Sequence, residues 1–124
     1  MSAALAYVAA GLVALWGVAH VLPTAKVVEG YGDTSRDNRL VITQEWIAEA
    51  MTMWFMAAVV VFATAVGGSR SGLTDGIYRI SSVMLVAMAA LTAVTGARTA
   101  VIFFKICPLL LGVVAALLVA ASWT

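Results

Sequence analysis

The sequence predicts an all-α fold: a polytopic membrane protein with four transmembrane helices in an antiparallel bundle. Three observations carry this expectation. Hydrophobic residues make up 64% of the 124-residue chain and charged residues 10%, against about 25% charged in an ordinary soluble domain. Mean hydropathy is +1.06. The apolar residues also fall into four runs of about 20 residues, the length that carries a helix across a ~30 Å hydrocarbon core. A chain of this length reads as one domain over residues 1–124. Helices rather than strands follow because lipid requires backbone polar groups to be paired within their own segment.

The first helix is expected over about residues 3–22, stopping at Pro23. Its start, Met1-Ser2-Ala3-Ala4, carries no basic n-region, and the apolar run outlasts a signal peptide's core, so it reads as a retained span. A polar loop over 24–43 follows, with a turn at Gly30-Tyr31-Gly32-Asp33. Ser35 is placed to cap a helix whose first turn holds Asp37. No Gly or Pro interrupts the chain from Ser35 to Val66. The second helix, membrane-embedded over about 45–66, is therefore expected to begin near Arg36 and to project ~15 Å beyond the bilayer.

The third helix is expected over about 77–97, after the glycine-rich connection from Gly67 to Gly76 that includes Gly68, Ser69 and Arg70. The fourth is expected over about 101–121, bent at Pro108. The short link Arg98-Thr99-Ala100 forces a tight hairpin between them. Small residues recur every fourth position at Ala6, Ala10 and Ala14, at Ala89, Ala93 and Ala97, and at Gly112, Ala116 and Ala120. Such rows let helix backbones approach in lipid, within the bundle or in a homo-oligomer.

Four spans bring His20, Glu45, Glu49, Thr95, Arg98, Thr99, Lys105 and Cys107 to the end of the bundle that carries the polar loop. The other end holds both termini and only Arg70, Asp75 and Arg79 as charged side chains. The polarity is one-sided. Glu45 and Glu49 lie one turn apart on a helix face shared with Thr52. Met51 to Val66 carry no charge, so a carboxylate leading into that run should face protein or water.

Repulsion between the two carboxylates is relieved if one keeps its proton or if Arg98 or Lys105 comes close. Glu49 is expected to face the interior within direct or one-water reach of His20, Arg98 or Lys105. As catalytic candidates, Glu49 is the main acid or base, Glu45 and His20 assist, and Arg98 stabilises developing negative charge. Trp46, Thr52, Met53, Thr95 and Lys105 are the candidate substrate-binding residues.

Each of these residues has a structural alternative. Glu45 beside Trp46 is also what a solvated helix start looks like. Glu49 can belong to a structural ion pair, and His20 can bond a backbone carbonyl. Lys105 can snorkel to the headgroups. Cys107 reads as a small buried hydrophobe, and Met51, Met53 and Met56 as packing or an adaptable greasy pocket.

Net charge is +1 with no basic stretch, which gives no sign of a nucleic-acid partner. One Cys and one His exclude an intramolecular disulfide, a four-ligand zinc site and a bis-histidine haem. No nucleotide loop or nucleophile elbow is present, and no cofactor or metal is expected.

The chain is similar in length to the small multidrug resistance transporters. Those rely on a first-helix glutamate, whereas this first helix has none, and His20 is its only side chain that exchanges a proton near neutral pH. The layout also resembles the membrane-associated glutathione and eicosanoid enzymes, through a long first loop, Gly30 to Asp33, Arg39 and a second helix bearing Glu49. Gln44 and Trp46 stand where that family has a His and an Asn.

Three functions follow as expectations: acid–base chemistry (isomerisation, cyclisation or hydrolysis) on a lipophilic small molecule; proton-coupled transport by a homo-oligomer; or an accessory subunit. Membrane lipid is the expected surrounding partner, and the cell membrane the expected location. Lys26, Arg36, Arg39, Arg98 and Lys105 against Arg70 and Arg79 place the polar loop in the cytoplasm.

Overall fold

The computed structural model describes residues 2–67 and 71–124. Met1 and the Gly68-Ser69-Arg70 part of the expected glycine-rich connection lie outside the described residues. Among the described residues five α-helices follow in order: α1 (Ser2–Val21), α2 (Thr24–Glu29), α3 (Arg36–Gly67), α4 (Gly72–Val94) and α5 (Ile102–Ala121), with a 3₁₀ turn at Gly96–Arg98 between the last two. Four are long and apolar enough to cross a membrane. The chain is an all-α polytopic membrane protein.

Local chemistry explains the boundaries. At the start of α3 the Ser35 hydroxyl accepts from the Asn38 N–H at 3.2 Å, so the helix does begin at Arg36. Its 32 residues extend about 48 Å, and the excess over the bilayer stands on the polar-loop side. That loop turns at Gly32, whose φ of +68° is costly for residues with a Cβ. The Arg39 guanidinium donates to the carbonyls of Gly32 (3.1 Å) and Thr34 (3.4 Å) and pins the turn against α3.

Two elements differ from the expectation. Thr24–Glu29 is helical rather than loop; Pro23 precedes it, where its missing N–H costs nothing. The third span starts at Gly72 instead of near 77, because the Ser71 hydroxyl caps it by accepting from the Thr74 N–H at 3.1 Å.

The four long helices form a ring in which α1 packs on α3 and α5, and α4 packs on α5. The remaining seam, between α3 and α4, is the thinnest. Ala6, Ala9, Ala10 and Val13 of α1 join Met53, Met56 and Val60 of α3, Tyr78 and Leu85 of α4, and Leu111, Val114 and Leu118 of α5 in the core. Ala6 and Ala10 thus pack as their spacing suggests. The Gly112, Ala116 and Ala120 row turns outward, because α5 buries its bulkier Leu111, Val114 and Leu118 face. Phe55, Phe62, Ile80 and Leu109 project outward, as lipid-facing side chains do.

At the end bearing the termini, buried hydroxyls tie the helices together. Thr64 Oγ1 and Tyr78 OH share a 2.7 Å hydrogen bond. Thr74 donates to the Ala63 carbonyl, and Ser82 to the carbonyls of Tyr78 and Ala115. In hydrocarbon such groups must find partners, and here they find them across helices.

Candidate functional site

At the polar-loop end the ring encloses a cavity of about 210 Å³. His20 from α1, Trp46 and Glu49 from α3, Thr92 and Thr95 from α4, and Phe104 and Cys107 from α5 line it, with Trp16 and Leu91 also on its wall. Pro23 and Val27, flanking and within α2, cover it from the loop side. The short helix therefore roofs the cavity.

Depth places Glu49 where a carboxylate is tolerable. About 20 residues of α3 cross the hydrocarbon core, and counting back from Gly67 brings that stretch to Ala48. Glu49 sits at this boundary, and its side chain is 35% exposed. His20 lies in the last turn of α1, at the same level.

His20 Nε2 stands 3.4 Å from Glu49 Oε2, the only ion-pair contact among the described residues. The approach lacks hydrogen-bond alignment, so Nε2 is buried without a hydrogen-bond partner among the described residues, on a side chain only 7% exposed. Nε2 has almost no exposed surface, so a molecule in the cavity meets that nitrogen only when a neighbouring side chain moves aside.

Aromatic side chains hold the pair in place. The Trp46 ring stacks on His20 at a centroid distance of 3.9 Å and an interplanar angle of 15°. Its indole N–H donates to the His20 carbonyl at 2.7 Å. That carbonyl belongs to the last turn of α1, where the helix supplies no N–H to meet it. Phe104 meets Trp46 edge-on at 5.6 Å. Gly96 permits this, since a Cβ there would come within 3.2 Å of the Phe104 ring. Trp16 donates to Cys107 Sγ at 3.3 Å, which keeps the thiol packed as a small hydrophobe.

Of the residues singled out from sequence, Glu49, His20, Trp46 and Thr95 line the cavity. Glu45 and Thr52 line an adjoining groove between α3 and α4 instead. Met53 is fully buried in the core one turn deeper. Arg98 and Lys105 are exposed and make no ion pair among the described residues. Arg98 sits in the 3₁₀ turn, and Lys105 falls two residues before the inward-facing Cys107, on another side of α5. Trp16, Leu91, Thr92 and Phe104 were not anticipated. Their signal is weak, because an aromatic or threonine in an all-apolar helix has no period to show which way it faces.

No protein-family model, curated protein or solved structure matches the chain. The structure is that of a small polytopic membrane protein with a His–Glu pair at one end, the histidine buried and the glutamate partly exposed.

Proposed function

We propose that this protein carries out acid–base chemistry on a lipophilic substrate at the membrane boundary, with Glu49 and His20 as the proton-exchanging pair. One observation carries the reading: a carboxylate and an imidazole meet at 3.4 Å on the wall of an otherwise aromatic and apolar cavity. One group can take a proton from the substrate while the other delivers one, which suits an isomerisation or cyclisation, or the activation of water for hydrolysis. Thr92 and Thr95 donate to the Met88 and Leu91 carbonyls of their own helix. Their hydroxyl oxygens stay available as acceptors on the cavity wall.

Proton-coupled transport, the alternative, needs a polar route through the other end. There Thr64, Thr74 and Ser82 are each engaged with a neighbouring helix. An accessory role would make the His20–Glu49 pair structural. The outward Gly112, Ala116 and Ala120 row supports self-association under any of these readings. The cell membrane, with the polar loop in the cytoplasm, is the proposed setting. Cysteine labelling at Ser35 and Ser71 tests it: faster labelling at position 35 from outside intact cells reverses the orientation.

Incubation with a membrane lipid extract in water labelled with both deuterium and oxygen-18 tests the chemistry. Proton transfer at carbon leaves deuterium in a lipid product, and hydrolysis leaves oxygen-18. Glu49→Gln is expected to abolish the label while its helical circular dichroism persists. Equal labelling with wild type, Glu49→Gln and no protein would sink the proposal. A purely structural pair gives a destabilised Glu49→Gln and no label from either protein.

A further inference from the structure

The groove between α3 and α4 deepens this reading by naming the substrate class. It adjoins the cavity at Trp46, Glu49 and Leu91, which line both. From there it continues past Thr52 and Met84 to Phe55, Val59 and Ile77, becoming almost wholly apolar. A cavity with its polar pair near headgroup depth thus runs into an apolar channel that descends about 15 Å along α3 from Glu49 to Val59. Head at the boundary and chain toward the midplane is how a lipid already lies in a bilayer. Methionines along the groove suit a flexible chain.

Size and charge restrict the head. An apolar cavity of about 150 Å³ holds benzene, so about 210 Å³ holds one ring or a compact pair, and falls short of the ~300–1,000 Å³ usual for drug-sized ligands. Arg98 and Lys105 are exposed and do not line the cavity. An anionic head would therefore meet Glu49 with only His20 to offset it. A cationic head would compete with His20 for the same carboxylate, 3.4 Å away. A neutral head that hydrogen-bonds can donate to the partly exposed Glu49 carboxylate and, where the side chains over it part, meet the unpartnered His20 Nε2, without either conflict.

We infer that the cavity takes a single-chain amphiphile with an uncharged, hydrogen-bonding ring head, which reaches His20 and Glu49 sideways from the bilayer and leaves its chain in the α3–α4 groove. The inference rests on the acid–base reading of the same cavity.

The full chain in nanodiscs, carrying Trp54→Phe and Trp123→Phe, leaves Trp16 and Trp46 as the fluorescent reporters. Dodecylphenol, dodecanoate and dodecyltrimethylammonium are titrated at pH 7. Dodecylphenol is expected to change the emission saturably and to bind at least ten-fold tighter than either charged probe. Thr52→Phe fills the groove beside Glu49 without touching the cavity, and is expected to weaken dodecylphenol at least ten-fold with helicity unchanged. Ala48→Leu, a milder filling of the same groove, is expected to weaken it less.

Tightest binding by a charged probe overturns the neutral head and leaves the acid–base site standing. Undiminished binding in both groove variants overturns the sideways route. If no probe alters Trp16 and Trp46, the ligand class is wrong, and the isotope labelling of wild type against Glu49→Gln then judges the acid–base reading on its own.

Discussion

Replacing Trp46 by Phe probes how the site is held together. The substitution keeps a ring to stack on His20 and to meet Phe104, but removes the indole N–H that donates to the His20 carbonyl at 2.7 Å. This carbonyl ends α1 and has no other described partner, so it is left unpaired inside a residue only 9% exposed. An unmet buried carbonyl costs about 1–3 kcal/mol, and the smaller half-buried ring forfeits about 1 kcal/mol of apolar burial. The expected loss is about 2–4 kcal/mol in total.

Trp54→Phe supplies the control. That indole donates to the Ala14 carbonyl at 3.1 Å, but Ala14 lies mid-helix in α1 and keeps its intrahelical bond, so the expected loss is about 1–1.5 kcal/mol, most of it the apolar burial lost with the smaller ring. Both variants are measured by reversible unfolding in mixed micelles of rising denaturing-detergent content, followed by far-UV circular dichroism. Losses equal to within about 0.5 kcal/mol would refute the assignment of an otherwise unpaired carbonyl to Trp46.

Other substitutions check the fold around the site. Tyr78→Phe removes the hydroxyl from the 2.7 Å bond with Thr64 while Thr64 keeps the Val60 carbonyl, so the same unfolding assay should show a loss of only about 1 kcal/mol. Leu111→Ala empties a fully buried core position and should cost about 2–5 kcal/mol. Ser71→Ala removes the cap of α4 and should cost about 0.5–2 kcal/mol, with slightly less helix by circular dichroism. The double variant Arg98→Gln, Lys105→Gln should change stability by less than about 0.5 kcal/mol and leave dodecylphenol binding intact; a large loss in either would mean that these cations reach the site.

The fold class, the existence of four spans, the early start of α3 and the end of the bundle at which polarity collects were all legible in the amino-acid order. These follow from local rules: apolar run length against bilayer thickness, Ser35 as a cap, and a chain from Ser35 to Val66 without Gly or Pro. The inward aim of Glu49 was legible too, because an isolated carboxylate beside hydrocarbon is expensive. The choice of His20 over Arg98 and Lys105 was not. It depends on how α1 and α5 are rotated about their axes; α1 is apolar all round, and small-residue rows are no sure guide, since the row on α1 packs inward and the row on α5 turns outward. Only tertiary packing turned His20 under Trp46, left Arg98 in an exposed turn and sent Lys105 outward. The α2 roof, the Trp16–Cys107 contact and the thin α3–α4 seam likewise arise from how separate helices pack. Helix-to-helix fit decides such features, and the spacing of residues along one helix carries no record of it.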